Sequence, residues 1–450
     1  MQRFFVMALL ATGLFGKGVF GKGYEAGVER IDITPEKPIY LSGYGSRKHP
    51  STGVRTRLWA KALAIRDERN QGVIIVTTDL IGLPRAITDV VSARLSSNHN
   101  VPRNGILFNS SHTHTGPLVR ANLSTMFDLT AEDRAVVEAY ARELTDKLTQ
   151  VAAAALGKLT PATLTYASSE ARFAINRRTP GPKGYVISVN PDGPVDHSVP
   201  VLRVANANTG RTMAVLAGYA CHNTTLTGEF YDISGDYAGY AQQELEKSNP
   251  GVTAMFLMLC GGDQNPNPRG TPELAEQHGR TLAATVNTLL KRPMQTVKGP
   301  IKTAYEQTRL GFAIHTRETF ENELASKNAS QVRRAQAMLK RYDDGEPVRE
   351  TPYPVQAVAF GKTLTILALG GEVVVDYDLR AKKEYAGRNL IVAGYSNDVM
   401  CYIPSLRVLK EGGYEANDSM IYYGQPGPFA DDVEERVFDA IHRVMTRVSK

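Results

Sequence analysis

Several short apolar runs in this chain stop abruptly at residues that bind metals or move protons. Gly105-Ile106-Leu107-Phe108 leads into Asn109-Ser110-Ser111-His112-Thr113-His114-Thr115-Gly116-Pro117. Met213 to Cys221 runs into His222, and Leu364 to Leu369 delivers Gly370-Gly371-Glu372. Gly72 to Thr78 ends in Asp79, and Val252 to Leu259 ends in Cys260-Gly261-Gly262-Asp263. Apolar runs of this length, bounded by glycine and proline, read as buried strands. Strand ends and the loops beyond them are where a rigid scaffold positions chemistry.

His112 and His114 are two apart, so on a continuing strand they share a face, one as a metal ligand and the other as its neighbour. Two imidazoles do not complete a site, because a catalytic zinc takes three protein ligands and keeps an open position. His222 and Glu372 supply the rest of a common set of two imidazoles and one carboxylate. The spread from 112 to 222 to 372 is unlike a zinc finger, whose ligands cluster locally. From residue types alone, three unrelated polar residues capping strands is an equally good account. Cys221, Cys260 and Cys401 make no disulfide framework and read as small buried residues packed beneath these motifs.

Composition narrows the class. With 42% hydrophobic and 22% charged residues, the chain is globular and not disordered. A net charge of +6 suits an anionic surface, a phosphorylated headgroup or an acidic glycan. No Lys/Arg block or aromatic-basic repeat accompanies that charge, which argues against nucleic acid. Arg3, the apolar run from Phe4 to Phe15 and the small residues up to Gly23 read as a signal peptide over 1–23, implying a secreted or periplasmic protein. The run is too short to span a bilayer comfortably.

Along the rest of the chain, Ser42-Gly43-Tyr44-Gly45 is a turn that lets backbone approach a ligand closely. Thr130-Ala131-Glu132-Asp133 resembles a capping box, and Val137, Tyr140, Leu144, Leu148 and Val151 behind it predict a long amphipathic helix. Residues 181–199, rich in Gly and Pro, read as a long functional loop. Pro272–Leu290, Arg317–Tyr342 and Val433–Val448 read as helices. No linker or repeat interrupts the chain. The expected architecture is α+β: one large catalytic domain over 24–450, with mixed β-sheets flanked by helices and the zinc site at strand ends.

These motifs resemble the neutral/alkaline non-lysosomal ceramidases, from Ile31-Asp32-Ile33-Thr34 to about Ala416. His112-Thr113-His114-Thr115-Gly116-Pro117 is similar to the family's His-Thr-His-Ser-Gly-Pro. Tyr219-Ala220-Cys221-His222 and Gly371-Glu372 resemble the segments of its second and third ligands. The resemblance implies Zn²⁺ held by His112, His222 and Glu372, with Tyr402 as a weak fourth ligand. It places His114 against the substrate or the activated water. Asn176-Arg177 resembles the element whose arginine assists catalysis. Tyr414-Glu415-Ala416, twelve residues after Tyr402, resembles the segment of a catalytic tyrosine. The implied activity is zinc-dependent hydrolysis of an N-acyl bond, ceramide by family default, by activated water. A zinc hydrolase of the same fold acting on a glycan, an ester or a small N-acyl compound is the alternative.

Two departures stand out. In Gly262-Asp263-Gln264-Asn265-Pro266-Asn267 the family's serine is replaced by Asn265. A carboxamide cannot be acylated, but Asn265 can hydrogen-bond a substrate. The sequence also ends about where the family's C-terminal immunoglobulin-like domain would begin, so that domain is expected to be missing. The expected partner is a small-molecule or lipid substrate, with a possible peripheral membrane surface, no nucleic acid and no obligate protein partner.

Overall fold

The computed structural model describes residues 23–119, 122–123, 125–182 and 184–450, so the expected signal peptide lies almost wholly outside the described residues. The main sheet is mixed. From one edge its strands run Thr253–Met258, Thr212–Tyr219, Ser198–Asn206, Thr160–Glu170, Tyr24–Asp32, Trp59–Arg66, Gly72–Thr78 and Ile106–Ser110, with Gln295–Val297 also paired to Thr160–Glu170. The outermost pair at each edge is parallel, and the pairs between are antiparallel.

The alternation along each strand explains the layering. Leu63, Ile65, Val73, Ile75, Leu202, Val204 and Leu257 face a second sheet made of Ile301–Gly311, Glu350–Phe360, Leu364–Leu369 and Leu390–Ala393, and meet its Val358, Phe360, Ile366 and Ile391. Their neighbours Ala62, Ala64, Ile74 and Val76 point the other way and pack under the helices Arg85–His99 and Ala131–Leu156. Val215, Ala217 and Phe256 do the same under Asp236–Ser248 and Pro272–Leu290. The terminal helix Val433–Ser449 covers the outer face of the second sheet through Phe438, Ile441 and Val444. Helices therefore enclose two stacked sheets. That is the α+β arrangement of mixed sheets flanked by helices expected above.

The two edges of the main sheet come together. The Asn109 side-chain amide donates to the Met258 carbonyl (3.1 Å) and accepts from the Met258 N–H (2.8 Å), acting as one rung of backbone between the edge strands. This closure brings the ends of Ile106–Ser110 and Thr212–Tyr219 to the same place.

Several local expectations change. Thr130 and Asp133 do form a capping box ahead of a helix that runs to Leu156. The expected helix 317–342 is two helices, Arg317–Glu323 and Ala329–Asp343, because the Asn328 side chain accepts from Ser330 and Gln331 N–H and starts a new one. The expected loop 181–199 is in its first half a strand, Gly184–Asn190, which forms a hairpin with Ala174–Gly181.

Candidate metal centre

His112 is not on a strand. The strand ends at Ser110, and His112 adopts φ +64°, a left-handed conformation that non-glycine residues rarely take. Its N–H donates to the Leu80 carbonyl (2.8 Å), and the His114 N–H donates to the Asn223 carbonyl (3.2 Å). The same-face argument for His112 and His114 is thus corrected: a turn, not strand alternation, brings the rings within reach. Backbone held in a sparsely populated conformation by its surroundings is a feature of functional sites.

The three imidazoles of His112, His114 and His222 present nitrogens within 4.8 Å of one another. His112 Nδ1 lies 2.6 Å from the Ile81 carbonyl and His222 Nδ1 lies 2.7 Å from the Gly261 carbonyl. A carbonyl oxygen only accepts, so both Nδ1 atoms carry the proton and both Nε2 atoms present a lone pair. Those two Nε2 atoms converge on one oxygen, Glu372 Oε2, at 2.8 and 3.1 Å. The Tyr423 hydroxyl donates to the other carboxylate oxygen, and the Tyr395 hydroxyl stands 3.5 Å from Oε2. Two imidazole lone pairs and a carboxylate oxygen facing one point, with the ring protons tied back by carbonyls, suit a divalent cation. The donor set therefore fits a metal ion.

Around this centre, Glu372 and Tyr402 face each other in register on a short parallel pair, Glu372–Val373 and Tyr402–Ile403. The Tyr402 hydroxyl lies 3.1 Å from His222 Nε2. It also accepts from Arg177 Nη2 at 2.9 Å. Arg177 Nη1 donates to Asn265 Oδ1 at 3.2 Å, and its Nε donates to Glu415 at 2.7 Å. Burial disfavours the Arg177 charge, but Tyr402 and Glu415 hold its pKa well above the ordinary arginine value. The same Glu415 accepts from Arg178 at 2.6 Å. Tyr414 packs edge-on to Tyr402, with ring centres 5.5 Å apart, and the Arg177 guanidinium lies 5.8 Å from its ring centre.

Burial, then the Arg177 charge, depresses His222 to about 3. Burial likewise holds His114 well below its ordinary value, so its ring is neutral. Burial raises the Tyr414 phenol, with the Glu372 charge adding to it, so the hydroxyl keeps its proton. Gly43 adopts φ +90° against His114, where a Cβ would stand 2.3 Å from Nδ1. The close backbone approach expected of the Ser42–Gly45 turn is thus made to a site histidine.

Eight of the residues singled out from the sequence meet in one region: His112, His222, Glu372 and Tyr402 at the centre, with His114, Arg177, Asn265 and Tyr414 around them. Asp79 does not join them: it accepts from the Trp59 N–H and the Gln242 amide. Asp263 accepts from the Val375 N–H and Asn176, fixing the loop beneath Arg177. The large hollow of about 460 Å³ beside Tyr24, Asp67 and Leu164 contains no site residue.

A model of the neutral/alkaline non-lysosomal ceramidases, N-terminal, matches residues 24–346. The chain belongs to this family. It is 25% identical over 263 residues to a neutral ceramidase of Mycobacterium tuberculosis, spanning 53% of this chain but 40% of that protein. It is 31% identical over 116 residues to a neutral ceramidase of Drosophila melanogaster, spanning 25% and 16%. In both, the match covers less than half of the relative's length. A crystal structure of neutral ceramidase from Pseudomonas aeruginosa shares the fold, with a TM-score of 0.73 over 95% of this chain and 74% of that one, at 20% identity. A ceramidase complexed with C2 gives 0.72 at 19% identity.

Glu372, Tyr402 and Tyr414 lie beyond the matched stretch 24–346, so for them the geometry carries the argument. Sequence reasoning missed the roles of Tyr423, Tyr395 and Glu415. Glu415 sits inside a motif quoted above, directly after Tyr414. Tyr423 and Tyr395 carried no local signal among the chain's 20 tyrosines.

Proposed function

We propose that this family member is a zinc-dependent amidohydrolase that cleaves an N-acyl bond of a ceramide-like substrate with water. The observation that carries the reading is the convergence of His112 Nε2 and His222 Nε2 on Glu372 Oε2. The family membership and the neutral ceramidases among its relatives support the substrate class.

His112, His222 and Glu372 would hold the ion, with Tyr402 beside them. A bound zinc ion supplies Lewis acidity, polarising a carbonyl and bringing the pKa of water from 15.7 to about 7. Arg177, kept charged and oriented by Glu415, stabilises the negative charge that develops on the carbonyl oxygen. Tyr414 keeps its proton, so it acts as an O–H donor and not as a base. His114 is neutral, and its Nε2 faces the centre, 3.1 Å from His112 Nε2. It can take the proton that water gives up and return it to the amine nitrogen as the C–N bond breaks. Asn265 accepts from Arg177 and from the Thr224 hydroxyl (3.3 Å) through Oδ1, which leaves its Nδ2 to donate to the substrate. No acyl-enzyme forms at that position.

A second reading, hydrolysis of a soluble N-acyl compound, draws on the polar rim of Arg177, Asn265 and Thr224. Export through the N-terminal segment and contact with a lipid surface belong to the ceramide reading. Amine release from ceramide, N-acyl amino acids and N-acetylated sugars separates the two. Turnover of ceramide with loss in His112→Ala supports the first, and turnover confined to the soluble compounds supports the second. Full activity in His112→Ala would overturn both.

A further inference from the structure

We propose that a cationic hollow beside the metal centre binds an anionic group on the polar half of the substrate, which makes a carboxylated, sulfonated or phosphorylated N-acyl compound the preferred class. The proposal rests on the amidase reading for the N-acyl part alone. The hollow encloses about 610 Å³, and its lining brings four cations, Arg47, Lys48, Lys327 and Arg333, against one carboxylate, Asp128.

None of those cations forms an ion pair among the described residues. Arg47 is 3% exposed; its guanidinium donates to the carbonyls of Ser42 (2.6 Å), His114 (2.7 Å) and Phe230 (3.0 Å) and lies 5.0 and 6.0 Å from the ring centres of Tyr44 and Tyr231, with no carboxylate against it. Its Nε is buried without a partner. A buried charge without a counter-charge is costly and is retained where something compensates it. Burial lowers Arg47 to about 10, which still leaves it charged at neutral pH. Arg333 likewise donates to the carbonyls of Thr125 (2.9 Å) and Met126 (3.1 Å) and to the Ser330 hydroxyl, and to no carboxylate. The helix Ala329–Asp343 begins at the same wall, so its dipole adds to the positive field.

The hollow adjoins the chemistry. Arg47 bonds directly to the His114 carbonyl. Tyr422, also in the lining, lies 6.4 Å from the Tyr414 ring and next in sequence to Tyr423, which holds Glu372. The lining thus reaches the His114 backbone through Arg47 and the Tyr414 ring through Tyr422.

The test is equilibrium binding by calorimetry to chelator-treated protein, where turnover cannot deplete the ligand, together with kcat/KM for the zinc-loaded protein. The probes are an N-acyl taurine, an N-acyl glycine and the neutral N-acyl ethanolamine of the same chain length, with inorganic sulfate as competitor. The expected result is a preference for the two anionic compounds of at least about tenfold, shrinking in high salt. Lys327→Glu and Lys48→Glu should each reduce that preference about tenfold, while Lys291→Glu, an exposed lysine outside the lining, leaves the ratio unchanged. Sulfate competition alone, with no preference among the N-acyl compounds, overturns the substrate assignment. Equal binding of charged and neutral compounds, or a ratio untouched by both variants, overturns the site. A binding preference without hydrolysis keeps the site and counts against the amidase reading.

Discussion

Replacing Glu415 by glutamine removes one negative charge from between two buried guanidinium groups while keeping the shape of the side chain. Glu415 is 1% exposed and accepts from Arg177 Nε at 2.7 Å and Arg178 Nη1 at 2.6 Å. Arg178 retains Glu411 at 3.0 Å and the Gly412 carbonyl, so its loss is partial. Arg177 retains only the Tyr402 hydroxyl and Asn265, both neutral. Breaking a buried pair from one side costs about 3–5 kcal/mol, and the retained amide oxygen places this change near about 3. A chain of 450 residues unfolds with an entropy of roughly 0.9 kcal/mol/K, at about 2.1 cal/mol/K per residue. The expected fall in Tm is therefore about 3 °C at pH 7. The pH dependence gives a second readout. Burial opposes charge on Glu415, but Arg177 and Arg178 hold its pKa below the ordinary 4.5. A depressed folded pKa contributes stability that is present above 4.5 and lost as pH falls through the folded value. Glu415→Gln lacks that contribution, so the gap between wild type and variant should close in acid. Activity should fall about tenfold to a hundredfold, because Arg177 loses its anchor. Calorimetric unfolding at pH 7 and in acid, alongside amine release, reads all three effects. Equal stability at pH 7, or a gap that persists unchanged in acid, would refute the reasoning.

Two further changes probe how the centre is held. Tyr423→Phe frees the second oxygen of Glu372 and should weaken zinc about 10–100-fold, measured by competition with a chelator, with little change in Tm of the metal-free protein. Gly43→Ala places a methyl group 2.3 Å from His114 Nδ1 at a backbone φ of +90° and should lower kcat about a hundredfold while zinc stoichiometry stays whole; unchanged kcat would remove His114 from the chemistry.

The parts of this site legible in the sequence were those marked by a local break. Apolar runs ending at His222 and Glu372 announce themselves because a buried strand that stops on an ionisable group needs a reason. The helix behind Thr130 was legible for the same kind of reason, a cap and a 3.6-residue stripe together. The left-handed turn at His112 was not, since nothing in Ser-Ser-His-Thr-His distinguishes it from a strand. The closure through Asn109 and Met258 was hidden too, because one asparagine reads as polar filler until its partner 149 residues away is in place. Tyr423 and Glu415 escaped because their roles lie in hydrogen bonds to Glu372 and Arg177, which no spacing encodes. The second strand of the hairpin, Gly184–Asn190, reads as part of a loop over 181–199 because Gly181, Pro182 and Gly184 outweigh the short run Tyr185 to Val189.

The most direct test is the ion itself. Metal analysis of the purified protein, with X-ray anomalous scattering at the zinc edge, should find one zinc bonded to His112 Nε2, His222 Nε2 and a Glu372 oxygen, and should find none in His222→Ala. A protein that is fully active without bound metal, or an ion held elsewhere while His222→Ala keeps its zinc, would contradict the account.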